Sequence, residues 1–463
     1  MRNRKKTILQ IVGLTALVLG LFTSLDLTQK VSQLWSQATG KKAEIVVEAD
    51  KELGLLPRVW NNFGQGGESS DGMLSPTVEA MKVIKPDYVR LDHIYDFYNT
   101  VEKENGQLKF NWEKLDKEVD AILKMGAKPF LALSYMPPAL ADNVTDEPRD
   151  WAEWQMTVKA TIEHYSGTKG KNIPGVYYEV WNEPDLFGGW KIGSEKNYGQ
   201  LYRQTAIAAD QSKDVQPFKL GGPATTGLYP NWMGGLLKQI SEENLRLDFI
   251  SWHRYSGETS GFTDDVAELT KILAQYPELA LKERIISEWG LDSGNNPAYD
   301  NQTGAAQVVA AAREMLGIIN KAIAFEIKDG LDPEGKQFWG RWGLMTHENS
   351  GLQKKPRYKA FLWLNEIGEI RLKLTGEGSW VRGIAAKKNG AIQINLVNFD
   401  LFNQHQEAVP ITINNLLPGN YEVIKSDFDG RETKTQTTID QGIWTDEVLM
   451  RPNQMMRLTL QKT

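Results

Sequence analysis

The chain of 463 residues has no cysteine and only five histidines. The absence of cysteine excludes disulfide bonds and thiolate metal sites. The histidines are scattered along the chain and show no metal-ligand spacing such as His-x-x-x-His. We therefore expect neither a metal ion nor any other cofactor.

The chain also has no excess of positive charge. It carries 53 Lys and Arg against 59 Asp and Glu, a net charge of −6. A nucleic-acid-binding domain needs a basic patch, so nucleic acid is not expected as a partner. The glycine pair of "LGGPA", Gly221 and Gly222, is not followed by the Lys-Ser/Thr of a phosphate-binding loop, which argues against a nucleotide site.

One long apolar run stands at the N-terminus. Residues 7–22, "TILQIVGLTALVLGLF", follow four basic residues within the first six. This pattern predicts that residues 1–27 are a signal peptide or a membrane anchor and that the protein is extracytoplasmic, either membrane-anchored or secreted. No small-x-small cleavage site follows closely, which favours the anchor and a membrane as partner. Residues 28–42 are a predicted polar linker, and the oligomeric state is left open.

The middle of the chain alternates between β-rich runs and segments with helical spacing. In 111–126, for example, Leu115, Val119 and Ile122 recur at steps of three and four, and Gly126 ends the helix. The predicted strands are 58–64, 88–92, 128–134, 175–182, 218–223, 248–253, 284–289 and 322–327. Eight such repeats indicate a (β/α)8 barrel over residues 55–369. A doubly wound sheet is the rival, but no glycine-rich loop follows its first strand.

The last part of the chain has a different pattern. Residues 370–463 show strand alternation broken by "NG" and "DG" turn signals, which predicts an all-β sandwich. Residues 43–54 contain a further strand that lies outside the eight repeats. We expect that strand to join the sandwich.

Two glutamates stand at the ends of predicted barrel strands. Glu183 follows the fourth strand and Glu288 ends the seventh, and their separation of 288 − 183 = 105 residues corresponds to three strand–helix units. Because the strands of a barrel end at one mouth, both carboxyl groups should face the same cavity. Two facing carboxyl groups can hydrolyse a glycosidic bond, one as acid and one as nucleophile.

At these positions the sequence resembles glycoside hydrolase family 39. The segments "EVWNEPD", "LGGPA", "DFISWHRYS" and "IISEWG" occur in the family's order, and the similarity runs from about residue 55 to 370. The resemblance implies a retaining mechanism on a polysaccharide or oligosaccharide, with Glu183 as acid/base and Glu288 as nucleophile. It also implies that Asn182 holds the sugar 2-hydroxyl, while His253 and Tyr255 line the same subsite. From the residues alone, His253 could equally be a core histidine and Tyr255 a packed aromatic.

The chain departs from the family near the expected sugar. Many members carry Arg-x-His after the second strand, whereas here Arg90 is followed by Asp92 at the histidine position and by His93. On the eighth strand, Phe325 replaces a tryptophan. We expect Arg90, Asp92 and His93 to contact the substrate, but the sugar is left unassigned, and we do not predict a xylosidase.

The loop "FWGRWG" after the eighth strand supplies further candidates for sugar binding. Trp339 and Trp342 could pack against sugar rings, which present C–H faces to indoles. Arg341 could hold a uronic carboxylate, and the alternative is a surface ion pair.

Two functions of different class remain from the sequence. The first is a retaining glycoside hydrolase. The second is a non-catalytic carbohydrate-binding or cell-envelope structural protein on a barrel scaffold.

Overall fold

The computed structural model describes residues 40–66, 72–331 and 341–463, and the backbone of residues 337–339. The predicted anchor, residues 1–27, lies outside these residues, as does the predicted linker up to residue 39. Among the helices that are described, none combines the length and the apolar character needed to cross a membrane.

The strands, in chain order, are β1 Ile45–Leu55, β2 Asn62–Gln65, β3 Tyr88–Leu91, β4 Val101–Glu104, β5 Gln107–Phe110, β6 Lys128–Ala132, β7 Tyr177–Glu179, β8 Lys219–Thr225, β9 Phe249–Tyr255, β10 Glu283–Gly290, β11 Lys321–Ala324, β12 Gly330–Leu331, β13 Gln337–Trp339, β14 Ile370–Thr375, β15 Val381–Lys388, β16 Ala391–Asn398, β17 Glu407–Asn414, β18 Gly419–Asp427, β19 Glu432–Ile439, β20 Trp444–Met450 and β21 Met455–Lys462. The α-helices are α1 Val78–Ile84, α2 Glu113–Lys124, α3 Trp151–Tyr165, α4 Tyr198–Asp210, α5 Pro230–Glu243, α6 Gly261–Leu273, α7 Gln302–Met315 and α8 Pro356–Asn365.

Eight parallel strands close into a barrel, which confirms the predicted (β/α)8 fold. Their order around the barrel is β2-β3-β6-β7-β8-β9-β10-β11, and β11 pairs with β2 to close the ring. Helices follow the strands because their apolar residues form one stripe: in α2, Leu115, Val119 and Ile122 are buried against the barrel. The barrel interior is filled by large side chains, among them Phe130, Tyr177, Phe249, Ile285 and Ile323. It is therefore a packed core whose functional surface lies at the strand ends.

The C-terminal region is an all-β domain. Its strand pairs form one continuous nine-stranded sheet, in the order β19-β18-β21-β16-β15-β14-β1-β17-β20, where the sequence pattern predicts a sandwich. The strand β1 runs antiparallel to β14, with Val46 opposite Thr375, and parallel to β17, with Ile45 opposite Ile411. Alternate side chains of these strands turn inward and make a second apolar core.

An ion-pair cluster holds the end of the barrel at which the strands begin, where Glu283 opens β10. Glu283, the first residue of β10, accepts hydrogen bonds from the Tyr177 hydroxyl at 2.6 Å and the Lys219 ammonium at 2.5 Å. The Lys321 ammonium lies 3.8 Å from Glu283 and over the rings of Tyr88 and Tyr177. Burial alone would raise the pKa of Glu283, but the bonds from Lys219 and Tyr177 and the charge of Lys321 lower it below its usual value. The Glu283 carboxylate thus connects four barrel strands, β7, β8, β10 and β11, and the Lys321 ammonium adds β3 through Tyr88.

We expect Glu283→Gln to lower the free energy of unfolding by about 1–3 kcal/mol at neutral pH, since a charge-assisted hydrogen bond contributes that much. A carboxylate with a lowered pKa stabilises the fold above its unfolded pKa, and the effect is lost as the pH falls through the folded pKa. The difference between wild type and variant, measured by urea unfolding, should therefore shrink in acid. A difference that is the same at pH 7 and in acid would show that packing, and not charge, is responsible.

Candidate active site

The two predicted catalytic glutamates stand on different kinds of backbone. Glu288 lies within β10, near its C-terminal end. Glu183 lies in a turn beyond β7, which is shorter than predicted and ends at Glu179. The strand ends early because Trp181 and Glu183 adopt positive φ angles of 74° and 45°, which a β-ladder does not allow. The turn is fixed by the Glu183 amide, which donates to the Ala224 carbonyl at 2.9 Å.

The two carboxyl groups face one another at the mouth of the barrel. One oxygen of Glu183, one oxygen of Glu288 and a ring nitrogen of His253 all lie within 4.8 Å of one another. The Glu288 side chain is 8% exposed and the Glu183 side chain 14% exposed, so Glu288 is the deeper group. The pair thus combines one carboxyl that is closed in by protein with one nearer to the opening.

Arg90, at the end of β3, connects the polar groups of the mouth. Its Nη1 donates to Glu288 at 2.7 Å, its Nε to Glu179 at 2.8 Å, and its Nη2 to the Asn182 amide oxygen at 2.7 Å. The residue is buried, with 1% of its surface exposed. The sequence predicts Arg90 as a substrate contact, and in the structure the described partners of its guanidinium are protein groups. Its position makes it the group that fixes Glu288 and Asn182.

His253 and Tyr255, two residues apart on β9, both contact the catalytic pair. His253 Nδ1 lies 2.8 Å from Glu183 and 3.5 Å from Glu288. Burial by itself lowers the pKa of His253, but the carboxylates of Glu288 and Glu183 outweigh it, so the pKa lies above its usual value. The Tyr255 hydroxyl donates to Glu288 Oε2 at 2.8 Å. Both side chains therefore have polar partners in the site, whereas the sequence alone also allowed them to be packed core residues.

Glu288 is surrounded by opposing influences. Burial raises its pKa above the usual value, and the charges of His253 and Arg90 act in the opposite direction. Arg90 binds one carboxylate oxygen and Tyr255 binds the other. These two donors hold the carboxylate in one orientation and favour its ionised form.

Asn182 is held between two protein groups. Its oxygen accepts from Arg90, and its Nδ2 donates to the Tyr135 hydroxyl at 3.0 Å. The amide is therefore oriented before any sugar binds.

Asp92 and His93, both predicted as substrate contacts, take different positions relative to the site. Asp92 is nearly buried and its charge acts on Glu288 and Arg90, so it belongs to the site. His93 is turned aside: its ring stacks on Phe97, with centroids 4.3 Å apart, and its Nδ1 lies 2.9 Å from Asp96. Its ring also lies 4.4 Å from that of Tyr135, at the border of the site.

The loop after the eighth barrel strand gives a mixed result. Arg341 Nη1 forms an ion pair with Asp300 at 2.8 Å, which is the alternative that the sequence left open. The Trp342 indole donates to the Asp292 carbonyl at 3.3 Å and packs edge-on against Phe325. The side chain of Trp339 lies outside the described residues.

Two residues of the site escaped the sequence reasoning. Glu179 is fully buried and bonded to Arg90, and Tyr135 is bonded to Asn182. A charged residue inside the apolar run "VYYEVW" is a signal for a buried ionic partner, and Glu179 could have been found from it. Tyr135 gives no comparable signal.

The arrangement suits proton transfer and nucleophilic attack at one carbon atom. Among the described residues, Glu183, His253 and Glu288 are also the group whose ligand atoms are close enough for a metal ion. Both oxygens of Glu288 already accept hydrogen bonds from protein donors, however, and a cation would have to compete with Arg90. A closely spaced carboxyl pair of unequal burial is the arrangement found in glycoside hydrolases.

Comparisons with known proteins agree with this chemistry. The family model described as glycosyl hydrolases family 39 matches residues 44–416. A β-xylosidase of Caldicellulosiruptor saccharolyticus is 28% identical over 372 residues, 73% of this chain and 74% of the relative. A β-xylosidase of Geobacillus stearothermophilus is 26% identical over 365 residues, 71% of this chain and 69% of the relative.

Solved structures share the fold. A GH39 enzyme from Xanthomonas axonopodis pv. citri superposes with a TM-score of 0.75 at 19% identity, over 91% of this chain and 98% of that one. A monomeric β-xylosidase from Caulobacter crescentus CB15 gives 0.74 at 20% identity, over 91% and 99%. Because the family model spans most of the sequence, the chain is a glycosidase and belongs to glycosyl hydrolases family 39.

Proposed function

We propose that this glycosidase works by double displacement with retention of anomeric configuration. The observation that supports this most directly is the spacing of the two carboxyl groups, with oxygens of Glu183 and Glu288 within 4.8 Å. Retaining enzymes place these groups roughly 5–5.5 Å apart, whereas inverting enzymes need roughly 6.5–9.5 Å to admit a water molecule. The short spacing leaves room for a sugar carbon but not for an intervening water.

The contacts assign different roles to the two residues. Glu288 is deeply buried and oriented by Arg90 and Tyr255, which suits a nucleophile that has to be ionised and aimed. Glu183 is more exposed and shares a short contact with His253, which suits a group that gives up and regains a proton. The deeper group therefore attacks the sugar and the outer group serves the leaving oxygen.

The reaction takes two steps. In the first, Glu183 transfers its proton to the glycosidic oxygen, the bond from that oxygen to the anomeric carbon breaks, and Glu288 forms an ester with that carbon. In the second, the Glu183 carboxylate takes a proton from water, the water oxygen bonds to the anomeric carbon, and the ester breaks. The alternative of a non-catalytic binding or structural protein has no observation in its favour, because both carboxyls and their supporting contacts are present.

The substrate is an oligosaccharide or polysaccharide. The β-xylosidase relatives support a β-linked sugar, but Asp92 and Phe325 stand where the family usually has histidine and tryptophan. The sugar is therefore left open. The basic and apolar pattern of residues 1–27 supports a location outside the cytoplasm, with the chain anchored or secreted.

Glu288→Gln should lower kcat/KM on the order of 10⁴-fold or more for all aryl glycosides, because the nucleophile is lost. Glu183→Gln should cost about 10²–10⁴-fold with poor leaving groups, which need protonation, and less with good ones. Steady-state assays across a series of leaving groups measure both effects, and proton NMR of the first product tests retention.

Glu283→Gln is the matched control, since it makes the same substitution on the same strand at the opposite end of the barrel. It should keep its activity at temperatures where it is folded. A first product with inverted configuration, or equal losses for Glu183→Gln on every leaving group, would contradict the proposed mechanism.

Tyr255→Phe should move the acid limb of the pH profile of kcat/KM to higher pH, by on the order of one pH unit. The hydroxyl donates to the ionised form of Glu288, so its removal raises the pKa of that carboxyl further, and activity needs the ionised form. Tyr202→Phe is the control, because the Tyr202 hydroxyl is likewise buried but donates to the Arg246 carbonyl, away from the site. A limb that stays in place in Tyr255→Phe would show that Glu288 does not govern it.

A further inference from the structure

One oxygen of the Asp92 carboxyl group is buried at the mouth of the barrel without a hydrogen-bond donor among the described residues. The residue is 6% exposed, and no described residue donates a hydrogen bond to its Oδ1. The backbone at this point is fixed, because the Asp92 carbonyl accepts from the Ser134 hydroxyl at 2.7 Å. The backbone of Asp92 is therefore held in place, while its Oδ1 has no donor among the described residues.

The surroundings of Asp92 are those of the sugar site. Its negative charge acts on the pKa of three groups there. It is one of the charges that raise the pKa of Arg90 and of Glu288, and it is the second cause, after burial, of the raised pKa of Tyr135. Asp92 directly follows β3 and stands two residues beyond Arg90, whose guanidinium bonds Glu288 and Asn182, so the chain places it at the same mouth of the barrel.

Arg90, two residues before Asp92, donates its described hydrogen bonds to other groups. Arg90 gives Nε to Glu179, Nη1 to Glu288 and Nη2 to Asn182. A buried carboxylate without hydrogen bonds is costly, by several kcal/mol. A donor supplied by a bound molecule would remove that cost.

The charges of the site determine which donor fits. The four carboxyl groups of Glu179, Glu183, Glu288 and Asp92 face two basic groups, Arg90 and His253. With Glu183 protonated as the acid, three carboxylates remain against these two basic groups, and the buried Arg357 donates to the carbonyls of Trp342 and Phe325 instead. A ligand group that carries a carboxylate would therefore be repelled, whereas a hydroxyl or an ammonium group would be attracted.

We propose that Asp92 determines the specificity of the sugar subsite: its carboxylate accepts a hydrogen bond from a hydroxyl or ammonium group of the sugar bound against Glu288 and excludes sugars that carry a carboxylate. This inference rests on the proposed function, because it takes the subsite beside Glu288 as the place of the reacting sugar. The substrate class is then a neutral or amino sugar rather than a uronic acid.

The test compares full-length wild type with Asp92→Asn, which keeps the shape and removes the charge. The probes are 4-nitrophenyl β-xyloside, β-glucoside, β-glucosaminide and β-glucuronide. On the best substrate we expect kcat/KM of Asp92→Asn to fall about 10- to 150-fold, because a charge-assisted hydrogen bond to the sugar is lost. Discrimination against the glucuronide should decrease at the same time. If the donor is an ammonium, the glucosaminide loses most. If it is a hydroxyl, the deoxy analogue lacking that hydroxyl is hydrolysed equally by both proteins.

Glu407→Gln is the control for a purely structural effect. Glu407 lies in β17 of the C-terminal domain and is also 6% exposed; its two oxygens accept no hydrogen bond from the described residues, and His405 Nε2 lies 3.3 Å from one of them. Its substitution should leave the order of substrates unchanged. If Asp92→Asn also keeps that order, while Glu288→Gln is inactive, the role of Asp92 is overturned and the proposed function stands.

A binding measurement separates the two proposals when turnover fails. Calorimetric titration with xylose, glucose, glucosamine and glucuronate does not depend on the reaction. Weaker binding of the preferred sugar and stronger binding of glucuronate to Asp92→Asn support the inference. Equal binding of all four sugars by wild type and variant overturns it. Activity that persists in Glu288→Gln overturns the proposed function instead.

Discussion

The buried guanidinium of Arg90 is the interaction on which the rest of the site depends. It connects Glu179 at the end of β7, Asn182 in the turn that follows, and Glu288 on β10. Burial acts to lower the pKa of Arg90, but the charges of Glu179, Glu288 and Asp92 raise it, so the cation persists in a dry environment. Without it, the fully buried Glu179 carboxylate would lose its described donor and Glu288 would keep only Tyr255, and a buried carboxylate without a partner is strongly destabilising. The position of the nucleophile is therefore a consequence of charge pairing inside the barrel.

This pairing also separates the two carboxyl roles. Arg90 and Tyr255 bind Glu288 from the protein side, so only one direction is left from which it can meet a ligand. Glu183 has His253 as its partner and sits on a turn closer to the opening. A group that exchanges protons with a leaving group and then with water needs such access. The position of Glu288 on a strand and of Glu183 in a turn thus underlies their different roles as nucleophile and acid/base.

The sequence predicts the barrel, because apolar runs of strand length alternate with stripes of helical period. It also predicts the catalytic pair, because strand ends meet at one mouth. Local backbone conformation and the directions of individual side chains are harder to predict from the sequence. The left-handed φ angles of Trp181 and Glu183, for example, shorten the predicted strand 175–182 to Tyr177–Glu179. His93 stacks on Phe97 in the segment that follows it, and Arg341 pairs with Asp300, which is distant in sequence; the motifs that suggested the two residues show neither direction.

The two ends of β10 show what the active site costs in stability. At one end, the Glu283 carboxylate is bonded by Lys219 and Tyr177. At the other end, buried polar atoms remain without partners among the described residues, namely Asp92 Oδ1, Glu179 Oε1 and His253 Nε2. Natural folds satisfy nearly all such atoms, so each of these three acts against stability. Hydroxyl groups of a sugar can satisfy those that face the cavity, and binding would then return part of the stability that the empty site lacks.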